Sequence, residues 1–199
     1  LEEGPHEPPA RPFHVEALPE EAAREAVRLA RRLALPLEGY TADGGFFVEG
    51  DSPLLEAHQR LLGVESEGAD LLRLSSPLVR LQVLAEGGAP VERLLEALPR
   101  GLQAHVAESP KMPGVRFVSL TKEGVSKLSA ARLVAEAYGL PLSECAMVGD
   151  GENDLELLRA VGVGIAMGNA PPSVKRAAQR VVAPVEACGL AEALRLLRG

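Results

Sequence analysis

Two short, unbroken apolar runs, Cys145 to Val148 and Gly164 to Met167, each stop at a glycine-bearing polar tip. Strands buried on both faces read this way, and such strands belong to parallel sheets covered by helices. Helical segments alternate with them. Ser126 can cap a helix through Tyr138, with Ala130, Leu133, Val134, Ala137 and Tyr138 as its apolar face and Gly139 and Pro141 to stop it. Asp154 to Val161 is helical, and Leu190 to Leu197 forms a closing helix. With Arg116 to Leu120 read as a preceding strand, this part of the chain is α/β. Sheets of that kind place their chemistry at the carboxyl ends of their strands.

The earlier residues have a different rhythm. Leu1 to Pro12 is rich in Glu and Pro and reads as an entry loop; the first residue is not Met, so upstream sequence is expected. Pro19 opens a helix with Glu20 and Glu21 in its first turn, Arg31 and Arg32 in its last, and an apolar face of Ala23, Ala26, Val27 and Ala30. Leu37 to Thr41 and Phe46 to Glu49 flank Ala42-Asp43-Gly44-Gly45, a hairpin signal. A helix around Leu54 to Leu62 follows, then a strand at Val79, Leu81 and Val83. A helix marked by Val91, Leu94, Leu95 and Leu98 comes next, and a strand at Leu102, Ala104 and Val106. This is an α+β module, and Ser109 to Gly114 reads as the linker out of it. The expected division is therefore residues 1–110 and 111–199.

Composition removes several classes of partner. With 28 acidic and 21 basic residues the formal charge is −7, which disfavours nucleic acid. Aromatic residues are 3% with no Trp, which disfavours base stacking. No apolar run approaches the ~18 residues of a membrane span, and no signal segment opens the chain, so the expected location is the cytoplasm. Cys145 and Cys188 form no CxxC and read as buried reduced thiols. His6, His14, His58 and His105 lack metal-ligand spacing and read as surface or satisfied core residues. Asn occurs only at positions 153 and 169, a depletion that fits a heat-adapted source.

Chemistry concentrates in Gly149-Asp150-Gly151-Glu152-Asn153-Asp154, at the end of the first apolar strand. The glycines let backbone approach a ligand, Asp150 can offer a hard oxygen to Mg²⁺, and Asn153 and Asp154 fall where a helix begins. A plain turn with Asn153 and Glu156 as a capping box accounts for part of this pattern. Lys127, among only four lysines, can neutralise phosphate charge as a point cation or stand as an ordinary exposed residue. Asn169, in Ala166-Met167-Gly168-Asn169-Ala170, reads as the cap of a strand-to-helix turn.

Taken together, Gly124-Val125-Ser126-Lys127, the segment from Gly149 to Asp154, and Ala166 to Ala170, continued by Val174-Lys175 through Ala178, closely resemble the Cof-type branch of the haloacid-dehalogenase-like phosphatases. The resemblance covers roughly Arg116 to the end. It implies a Rossmann-like α/β core, of which this chain carries the carboxy-terminal half, with the α+β region before it as a cap. It further implies an Mg²⁺-dependent phosphatase acting on a small phosphorylated metabolite through an aspartyl-phosphate. Lys127 would bridge nucleophile and phosphoryl group, Asp150 would hold Mg²⁺, Asn153 would contact phosphate, and Asp154 would orient Lys127 or support the metal.

The family's Asp-x-Asp-Gly-Thr nucleophile motif does not occur in the 199 residues, and Asp43-Gly44-Gly45 lacks the paired aspartate. The nucleophile is therefore expected upstream. These residues alone are expected neither to hydrolyse phosphate esters nor to fold well, since the Cys145 to Val148 strand would keep an exposed edge. Two other readings share parts of the pattern. A P-type ATPase domain carries the Gly-Asp-Gly-x-Asn-Asp signature but also membrane segments. A non-catalytic binding module would keep the fold without the nucleophile. Substrate choice has no legible signature; the turn at Asp43 and the loop at Ser75-Ser76-Pro77 are candidates.

Overall fold

The computed structural model describes residues 12–198. The expected entry loop therefore lies, except for Pro12, outside the described residues, as does His6. The chain divides into two compact units between Glu123 and Gly124.

The first unit opens with α1 (Glu20–Arg32), whose acidic first turn and basic last turn complement the helix dipole. Its small apolar residues, among them Ala23, Ala26, Val27 and Ala30, are buried and allow close approach to a sheet. β1 (Leu37–Thr41) and β2 (Phe46–Glu49) form the expected hairpin, turning through Gly44 at φ 90°, a conformation that favours glycine. Then follow α2 (Pro53–Leu62), β3 (Glu67–Gly68), β4 (Leu78–Glu86), α3 (Ala89–Glu96), β5 (Leu102–Ser109) and β6 (Met112–Lys122). The six strands form one sheet in the order β3-β2-β1-β4-β6-β5, antiparallel except for the short β2–β3 pairing.

Strand alternation divides the side chains between two faces. Leu37, Leu81, Val83, Val118 and Leu120 pack with α1 and α3 in the main core. On the opposite face Leu84, Val115 and Phe117 pack with Leu55 of α2. The turn at Asp43 and the loop at Ser75 to Pro77 meet at one corner, where Ala42 N donates to Pro77 O at 2.9 Å. Ser75, Ser76 and Pro77 also line a cavity of about 390 Å³ against α1.

Two expectations need correction here. Ser109 to Gly114 is not a linker out of the unit: Ser109 pairs with Met112, and the segment turns β5 into β6. Arg116 to Leu120 is a strand, but it lies between β4 and β5 in the antiparallel sheet. The reason is register: Val118 and Leu120 point into the main core while Phe117 meets α2, so the strand completes this unit's two apolar layers. The division falls about a dozen residues later than expected.

The second unit contains α4 (Lys127–Ala137), β7 (Ala146–Gly149), α5 (Leu155–Ala160), β8 (Val163–Ala166), α6 (Pro172–Ala177), β9 (Arg180–Val181) and α7 (Gly189–Arg198). Its strands are parallel in the order β7-β8-β9. Leu158, Ala166, Ala170 and Val174 form one small core, and Ile165, Met167, Val182 and Ala193 another. β7 pairs only with β8 among the described residues. The apolar face expected on α4 is not buried as a stripe: Ala135 is its one buried residue, Val134 is exposed, and the capping Tyr138 is 78% exposed. Cys188 likewise is exposed rather than buried, and both thiols are free. No helix among the described residues is long and apolar enough to cross a membrane.

This topology predicts how the backbone opens. In native-state amide exchange, Val118 and Leu120 should exchange with the protection of their β4 partners Val83 and Leu81. Exchange in step with β7 and β8 instead would contradict the division at Glu123.

Candidate active site

Each residue singled out near the strand tips lies in the second unit. Ser126 starts α4: its hydroxyl accepts from Ser129 N at 3.1 Å, while Ser129 Oγ accepts from Ser126 N at 2.8 Å. This reciprocal cap fixes the first turn and so the root of Lys127. Only the Ser126 half was legible in advance; the Ser-x-x-Ser spacing was the available signal for the rest.

β7 ends at Gly149, and the chain turns sharply through Asp150 and Gly151. The Asp154 carboxylate sits inside that turn, and the residue is only 2% exposed. Its Oδ2 accepts from the amides of Asp150 and Gly151, both at 3.0 Å. Its Oδ1 accepts from Lys127 Nζ at 2.5 Å. A buried carboxylate is costly unless paired and hydrogen-bonded, and these three donors meet that requirement. Burial alone would raise the Asp154 carboxyl; the Lys127 ammonium and the two amides outweigh it and hold the group below its ordinary range.

Gly149 makes this arrangement possible. A Cβ there would stand 2.7 Å from Asp154 Oδ2 and 2.8 Å from its Cβ and Cγ, so any side chain would expel the carboxylate. The Asn153–Glu156 capping box, the plain-turn alternative, does not form: α5 has no side-chain cap hydrogen bond, and Asp154 closes the turn instead. Asn153 is exposed beside it.

The Asp150 carboxylate is exposed, with Oδ2 accepting from Asn169 Nδ2 at 3.3 Å. Asn169 Oδ1 in turn accepts from Val185 N at 3.1 Å. Asn169 therefore does not cap a helix, since α6 begins after Pro171 without a side-chain cap. It ties the tip after β8 to Asp150 and to the loop at Val185. Met167 N donates to Gly149 O at 2.9 Å, which keeps the two strand tips level. Asp154 thus links Lys127 to the Asp150 turn, and Asn169 links that turn to the next tip. The product is a half-exposed ammonium and an exposed carboxylate, both anchored to one buried group.

The donor chemistry at Asp150 suits a hard cation: an exposed carboxylate oxygen beside an amide, with room for water. Among the described residues, no group of three or more His, Cys, Asp or Glu side chains could hold a metal ion. Asp150 could offer one carboxylate oxygen to such a cation, whose remaining ligands would have to be water or other groups.

The profile of the haloacid dehalogenase-like hydrolases matches residues 12–194, and the chain belongs to that family. A phosphoglycolate phosphatase from Methanothermobacter thermautotrophicus is 34% identical over 82 residues, which are 41% of this chain and 37% of that protein. An HMP-PP phosphatase from Cronobacter sakazakii is 31% identical over 137 residues, 66% of this chain and 48% of that one. Among solved structures, a haloalkanoate-superfamily phosphatase from Bacteroides thetaiotaomicron matches with a TM-score of 0.75 and 27% identity, over 92% of this chain and 66% of that one. The chain thus spans from about a third to two thirds of the length of these relatives.

Two outcomes follow. Asp154→Ala leaves two amides without an acceptor and should cost about 2–3 kcal/mol in denaturant unfolding. Because the Asp154 carboxyl lies below its unfolded value of about 3.9, its contribution is fully present above that pH and lost as pH falls through the depressed native value. Asp154→Asn should therefore flatten stability against pH in the acid limb below about pH 4. An unchanged acid limb would show that Lys127 and the amides do not hold the charged form.

Proposed function

We propose that this chain supplies the phosphate- and metal-handling half of a phosphatase for small phosphate monoesters. One observation carries the reading: a buried carboxylate, Asp154, fixes an ammonium and the turn that presents Asp150. Membership of a hydrolase family whose matching relatives are named phosphatases supports it.

In this reading Lys127 turns its remaining donors toward the transferring phosphoryl group, because Asp154 occupies only one of its three. Asn153, exposed at the same turn, offers an amide to a phosphate oxygen. Asp150, steadied by Asn169, would be the protein ligand of Mg²⁺, which binds through one or two carboxylates and retains waters. When bound, the ion would neutralise charge on the phosphoryl oxygens. The attacking group would be an aspartate outside these 199 residues, forming an aspartyl-phosphate that water hydrolyses. A small phosphorylated metabolite is the substrate class, and the first unit would serve as a cap.

The absence of the nucleophile motif favours one second reading, a binding module that holds phosphate without turnover. Hydrolysis of para-nitrophenyl phosphate by the protein as the cell makes it separates the two. The account expects Mg²⁺-dependent turnover that falls about 10²–10³-fold in Lys127→Ala, and a weakened Mg²⁺ requirement curve in Asp150→Ala. The 199-residue chain alone should be inactive. Mg²⁺-dependent turnover by that chain, lost in Asp150→Ala, would overturn its expected inactivity; phosphate binding without turnover by the native protein would overturn the phosphatase reading.

A further inference from the structure

The two edges of the first unit's sheet are built differently. β3, at one edge, is two residues long, a length that offers another strand little to pair with. β5, at the other, runs for eight residues and pairs only with β6 among the described residues. Long open edges are usually blunted by a lysine, a proline, a bulge or a covering element. From Leu102 to Ser109 there is no lysine, arginine or proline, and one carboxylate, Glu108. The ladder with β6 keeps its register until a bulge between Glu108 and Ser109. His105, Val106, Ala107 and Glu108 are all exposed, Val106 at 40%.

One backbone bond sets which groups face outward. Glu123 N donates to Gly101 O at 2.9 Å, and the β5–β6 register continues from that pair. Antiparallel alternation then turns the N–H and C=O of Gln103, His105 and Ala107 toward β6. Those of Ala104, Val106 and Glu108 point to the open side. Donors and acceptors at strand spacing are matched by another strand.

The pattern of β5 fits a second β5. A two-fold axis perpendicular to the sheet lays two copies antiparallel and keeps each side chain on its own face. Centred on Val106, it sets Val106 against Val106, Ala104 against Glu108 and His105 against Ala107. Every outward N–H and C=O of Ala104, Val106 and Glu108 then has a partner, and Glu108 meets alanine rather than its like. Neighbouring registers lose this match. Centring on His105 sets Glu108 against Leu102, whose N–H already donates to Pro99 O at 3.3 Å. Centring on Ala107 sets Ala104 against Pro110, which has no N–H.

We propose that the β5 edge is an interface between two copies of this protein, which join their sheets antiparallel about Val106. Backbone hydrogen bonds supply the attraction, and the paired Val106 side chains, opposite Val118 on the face of α1 and α3, add apolar contact. The committed N–H of Leu102 and the proline at 110 fix the register. The interface stands on the first unit alone and does not depend on phosphatase activity.

The test is sedentation-independent of any assay of turnover: sedimentation equilibrium of the native protein, with NMR on a mixture of differently labelled copies. The expected result is a reversible dimer and a contact between the α-protons of His105 in one copy and Ala107 in the other. Those two face each other as a non-hydrogen-bonded pair, the closer kind. Val106→Lys sets two ammonium groups against each other and should raise the dimer Kd about tenfold or more. Val106→Pro removes an outward donor and leaves the β6 ladder whole, so it should weaken the dimer as well. Unchanged amide protection at Val118 shows that each variant is folded. A protein that stays monomeric up to about 1 mM refutes the proposal. So does a dimer that both folded variants leave unchanged, or one without the His105–Ala107 contact.

Discussion

Asp154 is the group on which the candidate site depends. A carboxylate removed from water at a strand tip is tolerated only because three donors surround it, and those donors are the site. Two amides define the turn that carries Asp150. The third donor is the Lys127 ammonium, brought from the start of α4. Glycine at 149 leaves the space the carboxylate fills. Satisfying one buried charge thus also fixes an ammonium and the turn that exposes the Asp150 carboxylate.

The rest of the second unit serves that arrangement. Short parallel strands keep their tips level through the Met167–Gly149 hydrogen bond, which brings Asn169 to Asp150. The reciprocal Ser126–Ser129 cap sets the direction of the first turn of α4. A side chain as long as lysine has many rotamers, and the ion pair with a buried, immobile partner selects among them. The first unit solves a different problem with similar means: a buried Glu38 is satisfied by His58, Tyr40 and Gln82 across adjacent strands.

Much of this was legible in the sequence where the deciding forces are local. The hairpin at Asp43-Gly44 follows from turn chemistry between apolar runs, and its strand limits match the structure. Lys127, Asp150, Asn153 and Asp154 stood out because their residue types fall at a strand end and a helix start. What could not be read was set by partners distant in sequence. Arg116 to Leu120 declares itself a strand but not which sheet it joins; the layers it completes, beside Leu81 and Leu84, decide that. Asn169 carries the pattern of a cap, yet its partners are Asp150 and Val185. Asn153 and Glu156 have capping-box spacing, but Asp154 already occupies the turn. The periodic face on α4 offered apolar residues without saying how many would be covered.

The central claim is that Lys127 and the Asp150 turn are coupled through Asp154. It is tested most directly by observing both groups at once by NMR in the native protein: the Lys127 side-chain nitrogen and the Asp150 carboxyl carbon. Inorganic phosphate is titrated in the presence of Mg²⁺. The account predicts that both signals move along one binding curve, and that Asp154→Asn separates or abolishes the two responses. Two independent curves, or a joint response unchanged by Asp154→Asn, would contradict it.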